Sequence, residues 1–168
     1  ARNEFIAGAD LRMLLHASEQ SAEELFTWVR DLQQLFRRQE TSGKPVVAAI
    51  NGTALGGGLE LTLATHYRVV ADDPKIKLGL PEVKLGLLPG GGGTQRLPHQ
   101  IGVRPALPLL TEGTHLSPQK ALELGLVQAV VPADELLTHA RDYLLSGEAS
   151  AKQPWDDKRF KVPGGGIQ

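Results

Sequence analysis

The sequence predicts an α/β fold, and three observations carry that prediction. Two short, nearly continuous apolar runs, Val46–Ile50 and Tyr67–Ala71, have the composition of strands buried on both faces. Between them the glycine triplet Gly56–Gly58 opens an apolar helical segment reaching Thr65. Strand, helix and strand then form a βαβ crossover, expected to be right-handed. Upstream, Leu25, Phe26, Val29, Leu32 and Phe36 recur at helical spacing behind Ser21 and Glu24, a capping box.

Taken in order, residues 4–9 are a short apolar stretch ending at a Gly8-Ala9-Asp10 turn. The amphipathic helix runs from Ser21 to about Glu40, and its spacing places Trp28 and Phe36 in the core. Thr41-Ser-Gly-Lys-Pro45 breaks the chain before the first buried strand. Asn51-Gly52 is a turn, and after Asp72-Asp-Pro74 a short strand covers Lys75–Leu78. Gly90–Gly93 leads into a helix over 94–101, and a second covers 104–110 with Pro108 inside it. Ser117-Pro118 pairs an N-cap with proline at the first helical position, and that helix ends at Gly125. A strand over 126–131 and a helix over 133–145 follow. From Gly147 periodicity is lost, so the chain divides into a domain over 1–146 and a connector over 147–168. No internal repeat is present.

The whole-chain numbers bound the function. With 168 residues, 41% hydrophobic and 22% charged, the chain is long enough for one well-formed core. A net charge of −1 gives no field that would favour nucleic acid or an anionic membrane. The absence of cysteine excludes disulfides, thiolate catalysis and cysteine-ligated metal. His16, His66, His99, His115 and His139 show no metal-ligand spacing, so no metal site is expected. No apolar run matches a membrane span and no charged-then-apolar leader opens the chain. A cytoplasmic protein is the expectation. The chain is expected to open inside a strand or its exit loop, and it closes on Lys161-Val-Pro-Gly-Gly-Gly-Ile-Gln168, which reads as linker; both ends are expected to be cuts in a longer polypeptide.

Two glutamates stand beside glycine-rich or proline-marked turns, Glu60 after Gly56-Gly57-Gly58-Leu59 and Glu82 after Leu80-Pro81. Glycines let a substrate carbonyl approach main-chain N–H groups without meeting a Cβ. If the glutamates converge, they make an acid/base pair for chemistry alpha and beta to a carbonyl. Glu60 reads either as a complement to the helix dipole or as a carboxylate in an apolar pocket with a raised pKa. Glu82 alone reads as an ordinary surface charge as readily as a catalytic group. The triplet itself suits an oxyanion or close helix–strand packing; it fits neither a P-loop nor the dinucleotide fingerprint. N–H groups of the Gly8-Ala9-Asp10 turn are candidates for a second oxyanion donor, with Asp10 either a cap or a ligand contact. Lys75, Lys77, Lys84 and Arg96 read as a solvated face rather than a phosphate site. Trp155 and Phe160 are expected to pack against another domain.

Three blocks in this order resemble the enoyl-CoA hydratase/isomerase (crotonase) family: Phe5-Ile-Ala-Gly-Ala-Asp10, Ala49 through Leu61, and Leu80 through Leu97. Ala121–Val127 is similar to the family's segment before its last strand. The resemblance implies a crotonase-like spiral of ββα units, here N-terminally truncated, that binds acyl-CoA thioesters as substrate and needs no cofactor. It implies an oxyanion hole from the N–H groups of Ala9 and Gly57, with Glu60 and Glu82 as catalytic carboxylates. Gly90 falls at the water-positioning place, and Ala7, Gly8, Asp10 and Gly56 on the substrate path. The implied reaction is hydration of trans-2-enoyl-CoA in fatty-acid β-oxidation, with Δ3-Δ2-enoyl-CoA isomerisation as the alternative. Residues 154–166 resemble the connector of multifunctional β-oxidation proteins, where an NAD-dependent dehydrogenase domain follows; no dinucleotide fingerprint is present, so NAD has no place in this chain. The resemblance also implies a homo-oligomer or a complex with a thiolase subunit. It leaves open a catalytically impaired fragment.

Overall fold

A computed structural model of the chain describes residues 4–8 and 21–165. Ala9 and Asp10 lie outside the described residues. Seven strands are described: β1 (Glu4–Ala7), β2 (Val47–Ile50), β3 (Thr53–Leu55), β4 (Tyr67–Ala71), β5 (Leu78–Gly79), β6 (His115–Leu116) and β7 (Ala129–Val131). The helices are α1 (Ala22–Glu40), α2 (Gly57–Leu63), α3 (Gly93–Ile101), α4 (Val103–Thr111), α5 (Pro118–Glu123) and α6 (Leu136–Leu145).

The strands make two sheets. β2, β4 and β7 pair in parallel, while β1, β3 and β5 pair in parallel with β6 antiparallel at the edge. The Val47–Ile50 and Tyr67–Ala71 strands therefore pair as expected, with α2 between them in sequence. The sequence reading missed β3 and β6. Asn51-Gly52 passes the chain from one sheet to the other, and β3 is the first piece of the second sheet.

Leu59 and Leu63 of α2, Ile50, Val70, Leu78, Leu80, Leu97 and Leu126 form one buried cluster between these layers. On the other face of β4, Val69 packs with Leu136 and Ala140 of α6. This alternation places α2 against β1 as well as in the core. Gly58 allows the contact, since a Cβ there would overlap the Ile6 carbonyl oxygen.

The far end of α2 is held by a buried cation. Arg68 on β4 donates from Nε to the Leu126 carbonyl at 2.7 Å and from Nη1 to the Thr65 and Thr62 carbonyls at 2.8 and 3.3 Å. Burial pushes its pKa down to about 10, still far enough up to keep it charged at neutral pH. Gln153, buried in the C-terminal segment, adds a bond to the Thr65 carbonyl.

α1 carries the expected capping box, with the Glu24 N–H on Ser21 Oγ and the Ser21 N–H on Glu24 Oε2. Only Phe36 and Glu40 of this helix are buried. Trp28, placed in the core by periodicity, is 45% exposed, because only the last turns of α1 press on the body of the fold. Trp155 and Phe160 lie against His99 of α3.

Candidate active site

The site grows from the turn between β3 and α2. The Gly56 N–H donates to the Gly79 carbonyl at 2.9 Å, which ties the turn to β5. The first helical bond runs from Glu60 N–H to Gly56 C=O. Gly57 occupies the first helical position, where an N–H has no intrahelical acceptor. A Cβ on Gly57 would meet nothing within 4 Å among the described residues, so there is open space beside its Cα. Gly8, at the end of β1, lies beside it: a Cβ on Gly56 would stand 3.6 Å from Gly8 Cα. Ala7 is exposed and Gly8 half-buried at the same place.

Glu60 leaves the first turn of α2 into the protein and is 3% exposed. Its Oε1 accepts from the Gly93 N–H at 2.8 Å. Burial raises its pKa, and the N–H groups of Gly93, Gly91 and Gly92 together with the Arg96 cation oppose that rise. Glycine is required around it: a Cβ on Gly91 would fall 2.9 Å from Glu60 Oε2 and 2.8 Å from Phe36.

Glu82 arrives from a separate element, a 3-10 turn over Pro81–Leu85 that ends on the left-handed Gly86. Its Oε1 lies 2.8 Å from where a Gly56 Cβ would be, so the carboxylate rests on the bare main chain at the start of α2. Its Oε2 is buried without a hydrogen-bond partner among the described residues. Burial raises the Glu82 pKa, its own backbone N–H lowers it, and the charge of Glu60 raises it again. The two glutamates therefore converge at one end of α2, close enough to feel each other's charge.

Gly90 sits at the entry to the glycine loop, its carbonyl accepting from Gln33 Nε2 at 2.8 Å. The N–H contacts to Glu60 come from the next three residues. Arg96 is not on a solvated face: it is 8% exposed and paired with Glu40 at 2.7 Å. Lys75, Lys77 and Lys84 are exposed, as the sequence reading has them. His66 is bonded internally, Nδ1 to the Val46 N–H and Nε2 to the Glu40 carbonyl. Among the described residues no group of three His, Asp or Glu is placed to hold a metal ion. Sequence reasoning missed Glu40, although it stands one turn beyond Phe36 on the buried stripe of α1.

Set against known proteins, residues 1–152 match the family described as Enoyl-CoA hydratase/isomerase. The fatty acid oxidation complex subunit alpha of Vibrio vulnificus strain CMCP6 is 48% identical over 163 residues, 97% of this chain and 23% of that protein. The protein of the same description from Aliivibrio fischeri is 52% identical over 148 residues, 88% of this chain and 21% of its own length. This chain thus spans less than a quarter of these curated relatives. The crystal structure of enoyl-CoA hydratase from Bacillus anthracis superposes with a TM-score of 0.76 at 41% identity, covering 87% of this chain and 55% of that one. The α/β fold is therefore crotonase-like, as the sequence implies.

Proposed function

The chain belongs to the enoyl-CoA hydratase/isomerase family, and from that premise we propose that it adds water across trans-2-enoyl-CoA to give 3-hydroxyacyl-CoA. The observation that carries this reading is the convergence of Glu60 and Glu82 at the glycine turn that opens α2. As the water oxygen bonds to C3, Glu60 takes the water's proton and charge builds on the thioester oxygen. The N–H groups of Gly57 and Ala9 stabilise that enolate; losing one such donor costs about 2.7–4 kcal/mol. Glu82 delivers a proton to C2, which completes the addition. The reaction so written needs no cofactor. Gly90 takes part in holding the water, and Ala7, Gly8, Asp10 and Gly56 line the thioester's path.

The negative charge of Glu60 raises the Glu82 pKa, so an ionised Glu60 helps Glu82 keep its proton. That suits a base and an acid in one step. Glu82 is the acid because its Oε2 has no other partner among the described residues, and Glu60 the base because N–H groups surround it. The same partnerless oxygen favours a second reading, in which Glu82 alone shuttles a proton in Δ3-Δ2-enoyl-CoA isomerisation. The names of the relatives support a place in a fatty acid oxidation complex, with a thiolase subunit as the proposed partner and the cytoplasm as the proposed location. The test is hydration of crotonyl-CoA, followed by loss of the conjugated thioester absorbance, with product analysis on a 3-enoyl thioester. Full hydration by Glu82→Gln would refute the assignment.

A further inference from the structure

Behind the Glu60 carboxylate lies a line of charges that the hydration step itself does not use. Glu40, at the end of α1, is 1% exposed and Arg96, in α3, is 8% exposed. Arg96 donates from Nε to Glu40 Oε1 at 2.7 Å and from Nη2 to Oε2 at 3.0 Å, a two-pronged grip. Its remaining arm, Nη1, donates to the Gly91 carbonyl at 2.9 Å. Gly92, at φ +103, makes room for the guanidinium, since a Cβ there would collide with Arg96 Nη1. Arg37 adds a 3.2 Å contact to Glu40 Oε2 and bonds Asp156 at 2.6 Å, which fastens the C-terminal segment to the same line.

A buried ion pair adds little net stability over an apolar pair of similar size, because desolvation offsets the Coulomb attraction. What a committed guanidinium does supply is direction. With both ends fixed, it sets the Gly91 peptide relative to α1. The amides that follow then face Glu60, Gly93 N–H at 2.8 Å from Oε1 and those of Gly91 and Gly92 turned toward it. We propose that Arg96 and Glu40 are positioning residues that hold the Gly91–Gly93 peptides against Glu60 and so aim its carboxylate at the substrate. The proposal rests on the reading of Glu60 as the base.

Two substitutions separate positioning from plain charge. Arg96→Lys keeps the cation and loses the fork; Glu40→Gln keeps the shape and removes an anion. Among the described residues, the charged groups facing Glu60 are the Glu82 carboxylate and the Arg96 cation. Electrostatics alone leaves the Glu60 titration in place for Arg96→Lys and lowers it for Glu40→Gln. A loosened glycine loop raises it in both, because fewer N–H groups then favour the carboxylate. The measurement is a 13C NMR titration of the glutamate carboxyls, with Glu60 assigned by its absence in Glu60→Gln, alongside kcat and KM for crotonyl-CoA. Expected is a raised Glu60 midpoint in both variants, with kcat down about tenfold or more and KM little changed. An unmoved midpoint in Arg96→Lys, or a lowered one in Glu40→Gln, overturns the proposal. Should Arg96→Lys not fold, Glu40→Gln decides alone, since the two explanations give it opposite signs. The titration does not depend on turnover: a raised midpoint while Glu60→Gln still hydrates keeps the positioning and removes the proposed function.

Discussion

Glu60 and Glu82 meet at the start of α2 with unequal support. Glu60 projects from a helix, is 3% exposed, accepts from the Gly93 N–H, and is backed by the loop that Arg96 grips. Glu82 stands on a short 3-10 turn next to Leu85, Leu87 and Leu88, all exposed, and its Oε2 has no partner among the described residues. Burial raises both pKa values, yet among the described residues only Glu60 has donors from other residues to hold its anion. The difference teaches how one end of a helix separates two chemically identical groups. A carboxylate ringed by N–H groups is kept as an aimed base, and one buried with an idle oxygen is kept as a proton carrier.

The largest effect follows from removing either role. Glu60→Gln and Glu82→Gln should each lower kcat for crotonyl-CoA hydration by roughly 10²–10⁴-fold. On a 3-enoyl thioester the two should part: Glu82→Gln loses double-bond migration, and Glu60→Gln retains much of it. Equal losses on both substrates would break the division of labour. Gly57→Ala is the next sharpest test, because it touches neither carboxylate. Among the described residues nothing lies within 4 Å of the new methyl, so the melting temperature should hold. Hydration should fall by about tenfold or more as the methyl screens the amide from the thioester oxygen. Unchanged turnover would remove Gly57 from the oxyanion hole.

Stability tests the same contrast through pH. Both carboxylates have folded pKa values above their unfolded ones, so the folded state binds protons more tightly than the unfolded chain. Their contribution is complete below the ordinary glutamate range and is lost as pH rises through the raised values. At pH 7 each Glu→Gln variant should therefore melt above the parent, an advantage that disappears in acid. Glu82→Gln should gain more than Glu60→Gln, because its anion has fewer donors to forfeit. Thermal melts across pH 4–8 check the order, and a parent more stable at pH 7 than either variant would contradict the burial argument.

Much of this was legible in the residues, and the reasons for the rest are physical. The parallel strands β2 and β4 announced themselves because burial on both faces demands unbroken apolar runs. The three residues Thr53–Leu55 are too short to show a period, and only their pairing with β1 and β5 makes them a strand. Trp28 obeys helical spacing, but spacing records which residues share a stripe and not how far along the helix its cover extends. Glu60 and Glu82 could be singled out by their glycine and proline neighbours, whereas their meeting depends on β5 lying beside β3. Arg96 was misread because charge in a sequence defaults to the surface. Its partner Glu40 is distant in the chain, yet sits one helical turn past Phe36, a signal that a buried acid was there to find.

The smallest effect probes the looser half alone. Gly86 ends the Glu82 turn at φ +71, and a Cβ there would meet no neighbour among the described residues, so Gly86→Ala strains the backbone. That strain costs about 1 kcal/mol. The turn is closed by the Leu87 N–H on the Glu82 carbonyl and the Gly86 N–H on the Val83 carbonyl, both at 3.0 Å. Relaxing it should let the Glu82 side chain wander and lower kcat a few-fold. The Glu60 carboxyl, fixed through α2, α3 and the Arg96–Glu40 pair, should keep its NMR titration midpoint. A shift there as large as the shift at Glu82 would mean that the two supports are mechanically one, and that the asymmetry between the carboxylates arises from burial rather than from the elements that carry them.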